Sequence, residues 1–139
     1  MNSYLLDTNV ISELSKQSPN PGVVNFLLSS DVMWLSAIVV YELELGVQIL
    51  PEGQRRDRLK DWLSRIVDSF RGRILPIRRQ EAEIAASFQA RVHRDGGRLE
   101  LADALIAGTA EARSLSLATL NVRDFRGLDI DTVNPWDVL

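Results

Sequence analysis

At 139 residues, 45% hydrophobic and 25% charged, the chain has the size and make-up of one globular domain, residues 1–139, with a single core. It contains no cysteine, which excludes disulfides and thiolate metal sites, and its one histidine, His93, argues against paired-histidine chemistry and a histidine-rich zinc site. The formal charge of −3 is unevenly spread: residues 55–98 hold twelve Arg and Lys against six Asp and Glu, and the remainder holds four against thirteen.

One region is therefore suited to meet phosphates, or simply forms a solvated helical surface, while the other is rich in carboxylates. No run approaches the roughly 18 apolar residues of a membrane span. The longest candidate, LSAIVVYELELGVQIL (35–50), is broken by Glu42 and Glu44. The first residues lack the basic and apolar regions of an export signal, so a cytoplasmic protein with no membrane association is expected.

In chain order, SYLL (3–6) reads as a short buried strand that stops on Asp7. DTNVISELSK follows as a helix start, with capping residues ahead of Val10, Ile11 and Leu14. Pro19, Asn20, Pro21 and Gly22 read as a loop, and VVNFLLSS (23–30) as a second short helix. VMWLS (32–36) has the β-rich composition of a second strand. In AIVVYELELGVQIL (37–50), Ile38, Tyr41, Leu45 and Ile49 recur at a helical period, and Pro51-Glu52-Gly53 ends that helix.

Residues 54–70 predict an amphipathic helix with Leu59, Trp62, Leu63, Ile66, Val67 and Phe70 on one face. RILPI (73–77) predicts a third strand and RQEAEIAASFQARVHRD (79–95) a helix ended by Gly96-Gly97, with His93 at the surface near its end. A helix over 99–114, a fourth strand over 115–119 and a short last strand over 130–134 complete the chain before its NPW tail. Short strands alternating with helices predict an α/β fold in three αβα layers, with a short, mainly parallel sheet of four or five strands covered on both faces. In such sheets the ligand site lies beyond the carboxyl ends of the strands.

Four acids fall at those ends. Asp7 directly follows the first strand, Glu42 lies in the second turn of the helix after the second, and Asp103 stands near the start of LELADALIAG. Asp124 lies five residues past the fourth strand, in ATLNVRDF. Taken singly, each has a bland explanation: Asp7, Thr8 or Asn9 as helix caps, Glu42 as a solvent-facing residue, Asp103 as a helix-start charge and Asp124 as a turn residue. Together they mark one rim. Four crowded carboxylates need protons or cations, and with neither Cys nor a His pair the ligands must be oxygen, which points to Mg²⁺ or Mn²⁺. Two such ions can orient a water and stabilise the leaving oxygen of a phosphodiester.

LLDTNVISEL, LSAIVVYELELGV, LADALIAGTA and LATLNVRDF resemble, in this order and spacing, the motifs of PIN-domain ribonucleases of the VapC toxin type. VVNFL, GRILPI and the terminal NPW resemble the FitB-like subgroup. The resemblance spans nearly the whole chain. It implies a PIN-like fold, Mg²⁺- or Mn²⁺-dependent endoribonuclease activity, and Asp7, Glu42 and Asp103 as three acids of the site. The fourth falls at Asn121 or Asp124; Asp124 is favoured because Asn121 carries no charge, leaving Asn121 to assist. Thr8 and Ser36 match positions where the family keeps a polar side chain near the metal, and Glu100 reads as helix-start charge more than as a further acid. A homodimer is implied. So is a VapB- or FitA-like antitoxin, whose DNA-binding N-terminal part makes contact with DNA indirect and whose C-terminal segment wraps the toxin.

Other readings fare less well. A response-regulator receiver needs a late lysine, and the only lysines are Lys16 and Lys60; a haloacid-dehalogenase phosphatase needs D-x-D-x-T, and the chain has Asp7-Thr8-Asn9. A PIN nuclease outside a toxin pair, or a non-catalytic PIN binding module, are the alternatives that keep the fold.

Overall fold

The computed structural model describes residues 2–137. Five strands, β1 (Ser3–Leu6), β2 (Val32–Ser36), β3 (Ile74–Leu75), β4 (Ser116–Ala118) and β5 (Thr132–Val133), form one sheet in the order β3-β2-β1-β4-β5. Every neighbouring pair is parallel, with Leu5 opposite Trp34 and Leu117, and Leu6 opposite Ala118. Six α-helices connect them: α1 (Thr8–Glu13), α2 (Pro21–Leu27), α3 (Ala37–Gln48), α4 (Gln54–Ser69), α5 (Arg79–Arg94) and α6 (Leu101–Ala112). The expected three-layer α/β architecture is therefore present, with the full five strands.

The strand order explains where a crevice must open. From β1 the chain steps outward through β2 to β3, then returns to place β4 on the opposite side of β1. Connections diverge between β1 and β4, so the sheet's switch point lies there, beyond their carboxyl ends. β1 and β4 are buried at their carboxyl ends: Leu5, Leu6, Leu117 and Ala118 are each fully inaccessible to solvent. A rigid, dry floor thus stands directly beneath the polar residues that follow it, Asp7 and Thr119.

Several boundaries differ from the sequence reading for local reasons. α2 begins at Pro21, not at Val23, because Asn20 caps it through bonds from the Gly22 and Val23 amides and Pro21 needs no N–H at the first helical position. β3 shrinks to two residues ahead of Pro76, which has no N–H to continue a ladder. α6 starts at Leu101 with Glu100 at its cap position, and Leu99 is instead a buried core residue. A short 3-10 helix, Val122–Phe125, which the sequence did not suggest, carries Asp124 and buries Phe125.

The largest surprise concerns α3. Its core-facing residues are Val39, Leu43 and Val47, whereas Tyr41, Leu45 and Ile49 are 59%, 45% and 72% exposed. The helix is apolar on more than one side, so its periodicity identified a helix without identifying the buried side. α4 follows expectation: Leu63 and Phe70 are buried, and Leu59, Trp62, Ile66 and Val67 pack partly buried against the core. Helices α5 and α6 approach so closely that a Cβ added at Gly108 would stand 2.7 Å from the Glu81 carbonyl oxygen. No described helix is long and apolar enough to cross a membrane.

Candidate active site

Asp7 is the residue at which β1 becomes α1. Its backbone remains extended, and its amide still donates to the Ala118 carbonyl of β4 at 2.9 Å. The side chain performs two tasks at once. Oδ1 accepts the Thr8 amide at 2.7 Å, capping α1, while Oδ2 accepts the Thr119 hydroxyl at 2.7 Å and, more weakly, the Asn9 amide group at 3.4 Å. The capping explanation is therefore correct but incomplete, because one oxygen suffices for it. The second oxygen is held across the switch point by a residue 112 positions away.

Thr119 is a polar position that sequence reasoning missed, and Asn9, read there only as a possible helix cap, joins it at the site. Thr119 is fully buried, and its oxygen also accepts the Asn121 amide at 3.0 Å. Asn9 reaches Thr119 as well and accepts the Leu120 amide with its own oxygen at 3.2 Å. The available signal was symmetry: Thr119 follows β4 as Asp7 follows β1, so both were bound for the same edge.

Glu42 projects from α3, and its Oε1 accepts the Thr8 hydroxyl at 2.6 Å. Thr8 thereby ties α3 to the start of α1. Asp103 lies in the first turn of α6, half-buried, and among the described residues no hydrogen bond reaches its carboxylate. Burial raises its pKa to about 6, helped by the negative charges of Asp7, Glu42, Asp124 and Glu100 in that order. The pKa of Asp7 is also raised, chiefly by burial, with the charge of Glu42 adding to it and the Thr119, Thr8 and Asn9 bonds opposing it. The end of β1, α3 and the 3-10 helix thus bring Asp7, Glu42 and Asp124 within electrostatic reach of Asp103 on α6.

The remaining candidates divide. Asp124 is exposed at the rim, and its amide donates to the Asn121 carbonyl at 2.9 Å. Asn121 is exposed and is engaged through its backbone; its side chain has no hydrogen bond among the described residues. Ser36 is buried and caps α3, its hydroxyl oxygen accepting the Ile38 amide at 3.2 Å, with no bond to any of the four acids. Glu100 is exposed and paired with Arg98 at 2.9 Å, so it acts as a charged rim residue. His93 lies exposed in the last turn of α5.

The donor set suits a hard divalent cation: it consists wholly of oxygen, carries mutual repulsion that a cation relieves, and leaves Asp103 without a competing donor. Among the described residues, however, no three acidic side chains already stand as an ion cage. Glu42 is turned onto Thr8 and Asp7 is held by three donors.

Fold and site together define an open, all-parallel α/β protein with an acidic crevice at its switch point. The chain belongs to the PIN domain family, which matches residues 4–130. It is 41% identical over 135 residues to Toxin FitB of Neisseria gonorrhoeae, covering 95% of this chain and 97% of that protein. It is 34% identical over 136 residues to the VapC ribonuclease Y4jK of Sinorhizobium fredii, covering 96% and 97%. A solved structure of FitAB bound to an IR36 DNA fragment superimposes with a TM-score of 0.88 and 37% identity, over 98% of this chain and 97% of that one.

Proposed function

We propose that this protein is the toxin of a type II toxin–antitoxin pair, a single PIN domain acting in the cytoplasm as an endoribonuclease that hydrolyses RNA phosphodiesters with Mg²⁺ or Mn²⁺. The observation that carries the reading is the convergence on Asp103: a carboxylate without a hydrogen-bond donor, pushed to about 6 by burial and by Asp7, Glu42 and Asp124. Such an arrangement is poor for stability and well suited to a cation. The FitB toxin and VapC ribonuclease relatives, similar along almost their whole length, support the substrate class and the toxin role.

Asp7, Glu42, Asp103 and Asp124 would hold the ion, which when bound supplies charge neutralisation and an activated water at the phosphodiester. Each side chain has a distinct task. Asp7 is the fixed ligand, because Thr8, Thr119 and Asn9 hold its carboxylate in one orientation over a rigid sheet edge. Glu42 is the movable one, exchanging the Thr8 hydroxyl for the ion. Asp103 contributes the least compensated charge, and the exposed Asp124 faces the open side where substrate and water arrive. Asn121 assists by setting Asp124 and Thr119 through its backbone, and Thr8 and Ser36 by ordering the helix starts that present Asp7 and Glu42.

The partner is an antitoxin with a DNA-binding N-terminal part, so DNA is reached only through it, consistent with the DNA-bound FitAB structure. Its C-terminal segment presents an Arg or Lys to the acids and lies with its apolar residues against α1 and α3. A lone Arg–carboxylate contact at a rim is weak, so burial supplies most of the affinity.

Cleavage of RNA by purified toxin is the direct test. Asp7→Asn, Glu42→Gln and Asp103→Asn are expected to abolish it with an unchanged circular-dichroism spectrum, since each removes charge at nearly constant volume. Asp124→Asn is expected to reduce it strongly and Asn121→Ala less. An inactive Asn121→Ala beside a fully active Asp124→Asn would reverse the fourth-ligand assignment, and full activity of Asp103→Asn would remove the site.

A further inference from the structure

An acidic crevice on a protein of net charge −3 repels the polyanion it is proposed to cut, so some neighbouring wall must offset that repulsion. One wall does. A cavity of about 890 Å³ lies between the turn after α1 (Ser15, Lys16, Gln17) and one side of α4, lined there by Arg55, Arg58 and Arg65 with the one acid Asp61 among them. Among the described residues none of these three arginines is engaged in a salt bridge, and Lys16 opposite them pairs with Glu13 at 2.8 Å. Their spacing along the helix places the outermost two about 15 Å apart along its axis, room for more than one phosphate.

This basic trough is continuous with the acids. A smaller cavity of about 220 Å³ is lined by Thr8 and Glu42 at one end, and by Ser15, Arg55, Leu59 and Trp62 at the other. Those last four residues also line the larger cavity. Arg55 thus stands where the two meet, and Trp62, partly buried, offers an aromatic surface to both. Neither Glu100 nor Asp124, whose charges act on Asp103, lines either cavity.

We infer that the trough along α4 is the path of the single-stranded RNA on one side of the scissile phosphate, with Arg55, Arg58 and Arg65 pairing with consecutive phosphates and Trp62 providing a stacking surface for a base. The inference rests on the endoribonuclease reading and adds to it a direction of entry. Guanidinium groups pair with phosphate oxygens in bidentate fashion, and aromatic stacking tolerates any base, so the trough positions the strand without choosing its sequence.

The test is binding of a labelled oligouridylate in chelator, followed by fluorescence anisotropy across a salt series. Arg58→Gln/Arg65→Gln is compared with Arg78→Gln/Arg94→Gln, a control that removes the same charge from exposed positions of α5 and its N-terminus. The trough variant is expected to bind about tenfold more weakly and to lose about 1.4 from the logarithmic salt slope, the contribution of two phosphate contacts to a single strand. The control is expected to match wild type. Since all four arginines are exposed, both variants should melt as wild type does. Wild-type protein that cleaves RNA while the trough variant binds it equally tightly with the same salt slope would overturn the trough and leave the nuclease. Binding through the trough without any cleavage would keep the trough and remove the nuclease. A trough variant that loses the antitoxin and keeps RNA would assign the surface to the protein partner and overturn the inference.

Discussion

Asp103 is a carboxylate that the fold tolerates at a cost. Its pKa lies near 3.8 in an unfolded chain and about 6 here, so the folded protein disfavours its charged form. The penalty is absent below about pH 4, grows as pH rises through that interval, and is complete above about pH 6. Taken whole the shift corresponds to about 3 kcal/mol; solvent screening of a half-exposed group reduces this to about 1–2 kcal/mol. In chelator, Asp103→Asn is therefore expected to raise the melting temperature by several degrees at about pH 7.5 and to have no effect near pH 4. Mn²⁺ is expected to raise the wild-type melting temperature and to do much less for Asp103→Asn. A Mn²⁺ shift of equal size in both proteins would show that the ion binds elsewhere. Asp7 differs from Asp103 in being compensated: the bonds from Thr119, Thr8 and Asn9 offset part of its burial. The motif DTN contains two of those three donors; the third comes from β4.

At the scale of elements, the acids are only as well placed as the helices that carry them, and α6 is set by its contact with α5. Gly108 allows that contact, since an added Cβ would meet the Glu81 carbonyl at 2.7 Å and the Ala85 amide nitrogen at 3.0 Å. Both are backbone atoms that cannot turn aside. Gly108→Ala, ordinarily favourable in a helix, is expected to destabilise this protein by about 1–3 kcal/mol through overpacking, read as a lower melting temperature. An unchanged or raised melting temperature would mean that α6 shifts freely, and that the position of Asp103 is looser than the packing implies. The same pair of helices encloses the Glu81 carboxylate, 1% exposed, with Arg113 on one oxygen at 3.2 Å.

For the whole molecule, the exposed side of α3 matters most. Tyr41, Leu45 and Ile49 are spaced four residues apart and form one apolar stripe on a helix whose other side is already buried. A second copy of the chain is the expected cover of this stripe, which leaves α1 and the crevice end of α3 to the antitoxin. Wild type should sediment as a dimer, and Ile49→Arg, at a position 72% exposed, should shift it to monomer without lowering its helix content. A wild-type monomer at every concentration, gaining mass only with antitoxin, would assign the stripe to that partner instead.

These scales separate what the chain order alone determined from what required folding. Strand and helix types were legible because they are local: SYLL ends on an acid, VMWLS is β-rich, and Leu59 to Phe70 keep one helical face apolar. The acids at the junctions were legible for the same reason, because a strand-to-helix turn in a parallel sheet always arrives at the same edge. The buried side of α3 was not, since Val39, Leu43 and Val47 follow the same helical spacing as Tyr41, Leu45 and Ile49. Periodicity reports that a helix has apolar sides; only the neighbours choose among them. Nor was the bond from Thr119 to Asp7, the charge that the distant acids Asp7, Glu42 and Asp124 impose on Asp103, or the trough in which residues 15–17 meet α4. Hydrogen bonds and Coulomb forces act over a few ångströms of space, and the chain brings these groups within that distance only when β4 closes beside β1 and α4 folds back to face the turn after α1.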